Sequence, residues 1–174
     1  FKQENFAESA AAYLLFRDFH PKHKEIPYVI YKIAESYYNQ IPDTFDRDLQ
    51  GSMESIKYYT ELMERYSTSE YVKDANIKIA KCNKMLLDKE QYIADFYFKT
   101  KVYQAARWRY LDILENFKDK KLRKHSMVRV VESSKLMKDY EKCIVYADKY
   151  FQFLGKEGKR VTKKAKSNCS SKLN

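Results

Sequence analysis

Apolar residues recur at spacings of three and four through nearly all of residues 3–154, which is the periodicity of one helix face and not the alternation of a strand. Seven segments carry it. The first runs from about Gln3 to Phe19 through Phe6, Ala10, Tyr13 and Phe16, and the second from about Ile26 to Ile41 through Ile30, Ile33, Ala34 and Tyr37, with His20 and Pro21 between them. The third spans about Arg47 to Tyr66 through Met53, Ile56, Tyr59, Leu62 and Met63, with Asp46 as its expected N-cap. In the fourth, Val72, Ala75, Ile79, Cys82, Leu86, Ile93 and Phe96 follow one another with no Gly or Pro between them. That predicts one helix over about 70–98, roughly 43 Å long at 1.5 Å per residue. Three shorter segments follow: Tyr103, Ala106, Tyr110, Ile113 and Phe117; then Met127, Val130, Val131, Ser134 and Met137; then Tyr140, Cys143, Ala147, Tyr150 and Leu154, closed by Gly155 as a C-cap.

Helices alternating with short polar turns suggest a repeat, and the odd helices superimpose. Tyr103-Gln104-Ala105-Ala106 lies over Tyr140-Glu141-Lys142-Cys143 at a period of 37, a ring followed three residues later by a small side chain. The small residue lets two helices approach while the ring fills the next groove. Leu62–Tyr66 lies over Ile113–Phe117 at a period of 51, the excess coming from the long helix. The pattern is a degenerate tetratricopeptide repeat, and the expected architecture is an all-α, helical-hairpin solenoid of about seven helices over residues 1–154. Such stacks present a concave surface to a peptide or to another protein.

Composition agrees with helix: three Gly and three Pro are too few for the turns of an all-β chain. Sixteen Tyr and ten Phe exceed what a helical core ordinarily uses, so rings are expected both in the core and along a binding groove. In Tyr37-Tyr38, Tyr58-Tyr59 and Phe96-Tyr97-Phe98, neighbouring rings diverge by about 100°, so they cannot share one narrow interface. The net charge is +10, and from Gly155 onward seven Lys and Arg stand against Glu157 alone. Residues 155–174 therefore read as a basic, flexible C-terminal tail, poor in the apolar area needed to order itself. Cys82, Cys143 and Cys169 show no CxxC spacing, so no zinc or dithiol motif is indicated, and Cys82 and Cys143 fall at core positions that suit buried thiols. No apolar run is long enough to cross a membrane. No secretion signal precedes Phe1, so targeting information is expected upstream.

Catalytic and metal chemistry find little support. His20 and His23 lie on a turn with no third His nearby, and Asp46 and Asp48 suit a helix entrance better than an acid–base pair. There is no phosphate-cradling Gly-rich loop and no nucleophile elbow.

Several strings go beyond a generic repeat. They are Tyr28-Val29-Ile30-Tyr31 with Ser36-Tyr37-Tyr38-Asn39-Gln40-Ile41-Pro42, then Asp46-Arg47-Asp48, then Ser69 to Ala75, Glu90 to Tyr97, and Tyr103-Gln104-Ala105-Ala106 with Arg109. Together they resemble the BamD (YfiO-type) family of outer-membrane-assembly lipoproteins. The chain departs from that family where Tyr66-Ser67 and Phe117-Lys118 replace Tyr-Pro turns, and where Lys101 replaces a glycine. The resemblance implies a periplasmic, non-enzymatic scaffold without cofactor or metal, held at the outer membrane by a lipid anchor upstream of this chain. It further implies docking of the C-terminal repeats on periplasmic domains of the barrel-inserting subunit, and contacts with other assembly lipoproteins and with C-terminal segments of unfolded outer-membrane proteins. Arg109, with Tyr103 and Arg107 beside it, is the expected docking site. Tyr31, Tyr37, Tyr38 and Arg47 are the expected substrate or accessory contacts, since rings and a cation suit a segment ending in an aromatic residue and a free carboxylate. A generic envelope adaptor and a nucleic-acid-binding tail are the rival readings; the family resemblance implies no nucleic acid.

Overall fold

The computed structural model describes residues 5–173, which form eight α-helices and no strand. They are α1 Phe6–Phe19, α2 Ile26–Tyr38, α3 Gln50–Arg65, α4 Val72–Lys99, α5 Tyr103–Asn116, α6 Lys120–Leu136, α7 Tyr140–Phe151 and α8 Lys156–Ser170. The expected start of the first helix at Gln3 lies outside the described residues. The helices fall into two compact units, residues up to Lys89 and residues from Glu90, with the division inside α4.

In the first unit α1 packs on α2 and α2 on α3. Ile26, Val29, Ile30, Ile33 and Ala34 of α2 meet Tyr58, Tyr59 and Leu62 of α3 and Ala75 of α4 in one buried cluster. Apolar burial drives this, at about 25 cal/mol for each Å² removed from water. Tyrosine brings a hydroxyl into that cluster, and the hydroxyl needs an acceptor. Tyr59, fully buried, donates to Glu35 of α2, while Tyr31 donates to Asp74 at 2.7 Å. Lys78 closes the network by pairing both with Glu35 and, at 2.9 Å, with Asp74. Burial, then the bonds to carboxylates, push the Tyr59 hydroxyl far up and Tyr31 up to about 12. Burial works against the Lys78 ammonium, yet Glu35 and Asp74 hold its pKa above the usual lysine range. His20 and His23, set aside above as ligands, both pack against the Phe16 ring, at 5.0 and 5.3 Å between ring centres.

The second unit repeats this logic with other residues. α5 packs on α6, α6 on α7, and α8 on both α6 and α7. Tyr110 of α5, fully buried, donates to Asp95 at 2.5 Å, and His125 of α6 meets the same carboxylate at 2.9 Å. Burial alone would raise the Asp95 pKa; the bonds from Tyr110 and His125 outweigh it and hold the carboxyl below its usual value. Asp119 caps α6 by accepting from Leu122 N–H at 2.7 Å, and Asp139 caps α7 by accepting from Lys142 N–H at 3.3 Å.

The 37-residue period reappears as matched helix endings. After α4, Lys101 adopts φ 65°, its N–H donates to Phe98 O at 3.1 Å, and Val102 N–H reaches back to Tyr97 O at 2.9 Å. After α6, Lys138 adopts φ 62°, with Lys138 N–H on Lys135 O and Asp139 N–H on Ser134 O, both at 3.0 Å. Both are Schellman endings, whose left-handed residue is normally glycine. Lys101 is the position where the resembling family carries glycine, so the backbone keeps the turn although the side chain disfavours it.

Four expectations are corrected. The tail expected to be flexible over residues 155–174 is ordered through most of its described length: Lys156–Ser170 are helical, and Thr162, Ala165 and Cys169 are buried against the preceding helices. Gly155, expected as a C-cap, is the extended N-cap of α8. Cys143 is not a free thiol, because α8 brings Cys169 within 6.4 Å of it, Cα to Cα, and the two form a disulfide. Cys82 does remain a buried thiol, 3.3 Å from Ser55 Oγ, with burial raising its pKa. At the entrance to α3 the first helical residue is Gln50, not Arg47, and Leu49 stands at the N-cap. Asp48 Oδ1 accepts from Gln50 N–H there at 3.0 Å, while Asp46 bonds to Thr44 instead.

Replacing Lys78 by Met removes the shared cation from two carboxylates, one of them on a side chain only 13% exposed. Losing one partner of such a pair costs about 3 kcal/mol, whereas Lys84→Ala, at an exposed pair with Asp88, should cost less than about 0.5 kcal/mol. Urea unfolding of the two variants measures the difference, and equal losses would refute the network's role. Conversely, Lys101→Gly should raise stability by about 1 kcal/mol by relieving the left-handed strain. A lowered denaturation midpoint would show that the lysine side chain makes a compensating contact.

Candidate functional site

The expected contact residues divide into those used inside the chain and those left accessible. In the second unit Arg107 sends Nη1 to Asp139 Oδ2 at 2.6 Å and to Ser134 Oγ at 3.3 Å, with its side chain only 13% exposed. It locks α5 to the α6–α7 turn, where the Asp139 carboxyl, held low chiefly by the Arg107 bond against the opposing effect of burial, also caps α7. Tyr103 lies edge-on to Phe98 at 5.6 Å, within the packing of the unit.

Arg109 is differently placed. Its only described ion pair is a long one, Nη1 to Glu90 Oε2 at 3.5 Å, and its guanidinium sits 5.1 Å from the ring of Trp108. Trp108 is 61% exposed, so the chain's one tryptophan presents its ring to solvent beside a cation with donors to spare. That pairing suits a partner offering a carboxylate next to apolar surface. Sequence reading overlooked Trp108. The available signal was its place two residues before the core position Tyr110, which turns it away from the core face of α5.

In the first unit the four candidates fall into two sets. Tyr31 stacks on Tyr71 at 4.7 Å and belongs to the core network, and Tyr38 lies 5.3 Å from the Lys78 ammonium. Tyr37 and Arg47, by contrast, line a common opening of about 580 Å³ with Gln40, Pro42, Asp48, Gln50 and Gly51. The Tyr37 ring is held by parallel stacking on Tyr58 at 5.7 Å, and Arg17 lies 5.5 Å from the far ring. Gly51 shapes the wall, since a Cβ there would stand 2.9 Å from the Tyr37 carbonyl oxygen and force α3 away from α2. The opening can therefore offer an aromatic face and an exposed guanidinium to one ligand. Among the described residues no group of three or more His, Cys, Asp or Glu is gathered as for a metal ion, and no helix is long and apolar enough to cross a membrane.

Comparison with known proteins bears on which partners these surfaces serve. The chain is 27% identical over 155 residues to the outer membrane protein assembly factor BamD of Rickettsia prowazekii, covering 89% of this chain and 60% of that protein. It is 27% identical over 128 residues to proteins of the same name from Neisseria gonorrhoeae and Caulobacter vibrioides, of which it spans 48% and 42%. The chain thus spans about half the length of these relatives. The family model described as the YfiO outer membrane lipoprotein matches residues 1–150, from before α1 to the penultimate residue of α7, and leaves α8 outside. On that match the chain belongs to the YfiO family of outer membrane lipoproteins, whose BamD-type strings it carries from Tyr28 to Arg109.

Proposed function

We propose that the chain is a non-catalytic scaffold of the outer-membrane β-barrel assembly machinery that docks on periplasmic domains of the barrel-inserting subunit through α5 and its surroundings. Family membership supports the setting, and the accessible Trp108–Arg109 pair is the observation that carries the contact. An exposed indole beside an incompletely paired guanidinium is the combination that dominates protein interfaces, where the ring is desolvated and the cation finds a carboxylate. Arg107 is withdrawn from the docking set because Asp139 already occupies it. The Cys143–Cys169 disulfide supports a periplasmic location, because such bonds persist in oxidising compartments. Attachment to the membrane through a lipid upstream of this chain completes the reading, along with neighbouring assembly lipoproteins as further partners.

The opening lined by Tyr37 and Arg47 serves as the receptor for C-terminal segments of unfolded outer-membrane proteins. Tyr37 supplies the aromatic face, and Arg47 pairs with the terminal carboxylate.

In a pull-down with the partner's periplasmic domains, Arg109→Glu should abolish capture, and Trp108→Ala should weaken it by about tenfold or more. Capture unchanged by Arg109→Glu would sink the docking assignment. For the receptor, a peptide ending in Phe should bind with a free carboxylate and lose roughly tenfold when amidated, a loss absent in Arg47→Ala. Equal binding of the acid and the amide to the parent chain would exclude the opening as a carboxylate site.

A further inference from the structure

The positive charge of this chain is concentrated on two helices that touch. α6 and α8 together carry twelve Lys and Arg against Glu132 and Glu157, an excess of ten that equals the net charge of the whole chain, +10. All other residues balance. The two helices pack against one another, and the Cys143–Cys169 bond ties α8 to α7 as well. Like charges held this close repel, and the repulsion is carried by the fold unless something anionic relieves it.

Between the two helices runs an open groove of about 720 Å³. Its floor is apolar, made by Val128, Leu154 and Val161, and Gly158 lets α8 lie close over it. A Cβ at Gly158 would stand 3.2 Å from Leu154 Cβ and 3.4 Å from Val128 Cγ2. The rim is cationic. Both acids at the rim are neutralised locally, Glu132 by Arg129 at 3.0 Å and Glu157 by Arg160 at 2.5 Å. Lys121, Lys124 and Lys156 line the same groove, are exposed, and make no ion pair among the described residues.

We propose that the α6–α8 groove is a docking site for an acidic, extended protein segment that places an apolar side chain on the floor and carboxylates against Lys121, Lys124 and Lys156. Charge complementarity selects an anionic occupant. The concave apolar floor selects a peptide over a flat membrane or a phosphate backbone, which would gain nothing from Val128, Leu154 and Val161. The site is distinct from the docking surface at Arg109: its lining residues come from α6, α8 and the turn that precedes α8, and none from α5.

The test uses the full chain and a fluorescein-labelled peptide of the pattern Glu-Asp-Leu-Asp-Glu, followed by anisotropy. Binding should weaken as salt rises and fall by about tenfold or more in the triple variant K121E/K124E/K156E. The variant's melting temperature should hold or rise, because its self-repulsion is relieved, which separates lost binding from lost folding. A companion peptide with Ser in place of Leu should bind several-fold more weakly. Unchanged binding in the triple variant, or equal binding of the Ser peptide, overturns the proposal. So does tighter, lysine-dependent binding of phosphatidylglycerol vesicles or duplex DNA, which would assign the charge to a lipid or nucleic-acid surface. Capture of the periplasmic domains at Arg109 should be the same in the triple variant, so either assignment can fail alone.

Discussion

A buried tyrosine needs somewhere to put its hydroxyl, and both units of this chain are arranged around that need. The chain is polar overall, with a mean hydropathy of −0.73, so aliphatic side chains alone cannot fill the interior and rings must. Each fully buried ring finds a carboxylate: Tyr59 finds Glu35 in the first unit, and Tyr110 finds Asp95 in the second. The carboxylates in turn need cations or further donors, which Lys78 and His125 supply. Removing Glu35 or Asp95 leaves a fully buried tyrosine hydroxyl without its acceptor, so the networks specify which helix faces which and in what register.

That same demand sorts the exposed chemistry. Charged side chains near the networks are spent on them, as Arg107 is on Asp139 and Lys78 is on Glu35 and Asp74. Residues one or two helical steps from Arg107, Trp108 and Arg109, remain accessible. The division between structural and available cations therefore follows from helix geometry, since neighbouring residues on a helix point about 100° apart. Tyr37 and Tyr38 show it again, one at the rim of an opening and the other against Lys78.

α8 depends on a weaker principle. Its buried positions, Thr162, Ala165 and Cys169, offer little apolar area, and its other face is densely cationic. Packing on α6 and α7 and one covalent link compensate for that poverty. A segment with this composition looks disordered when judged by its own hydrophobicity, because the stabilising partner surface and the disulfide are both contributed from elsewhere in the chain.

What the sequence determined by itself was whatever local periodicity controls: the all-α class, the long fourth helix at about 70–98 against the observed Val72–Lys99, the 37-residue repeat, and the strings that mark the family. Helical spacing is written in the nearest few residues, so it can be read without the fold. Long-range geometry decided the rest. Only the tertiary structure could bring Cys169 to Cys143, turn Gly155 from the end of one helix into the start of another, and place Arg107 on Asp139 while leaving Arg109 accessible. The disulfide and the Arg107 pair depend on how one helix packs on another, 26 residues apart for the cysteines and 32 for Arg107 and Asp139, and nothing in the spacing of neighbouring residues encodes which surface will arrive.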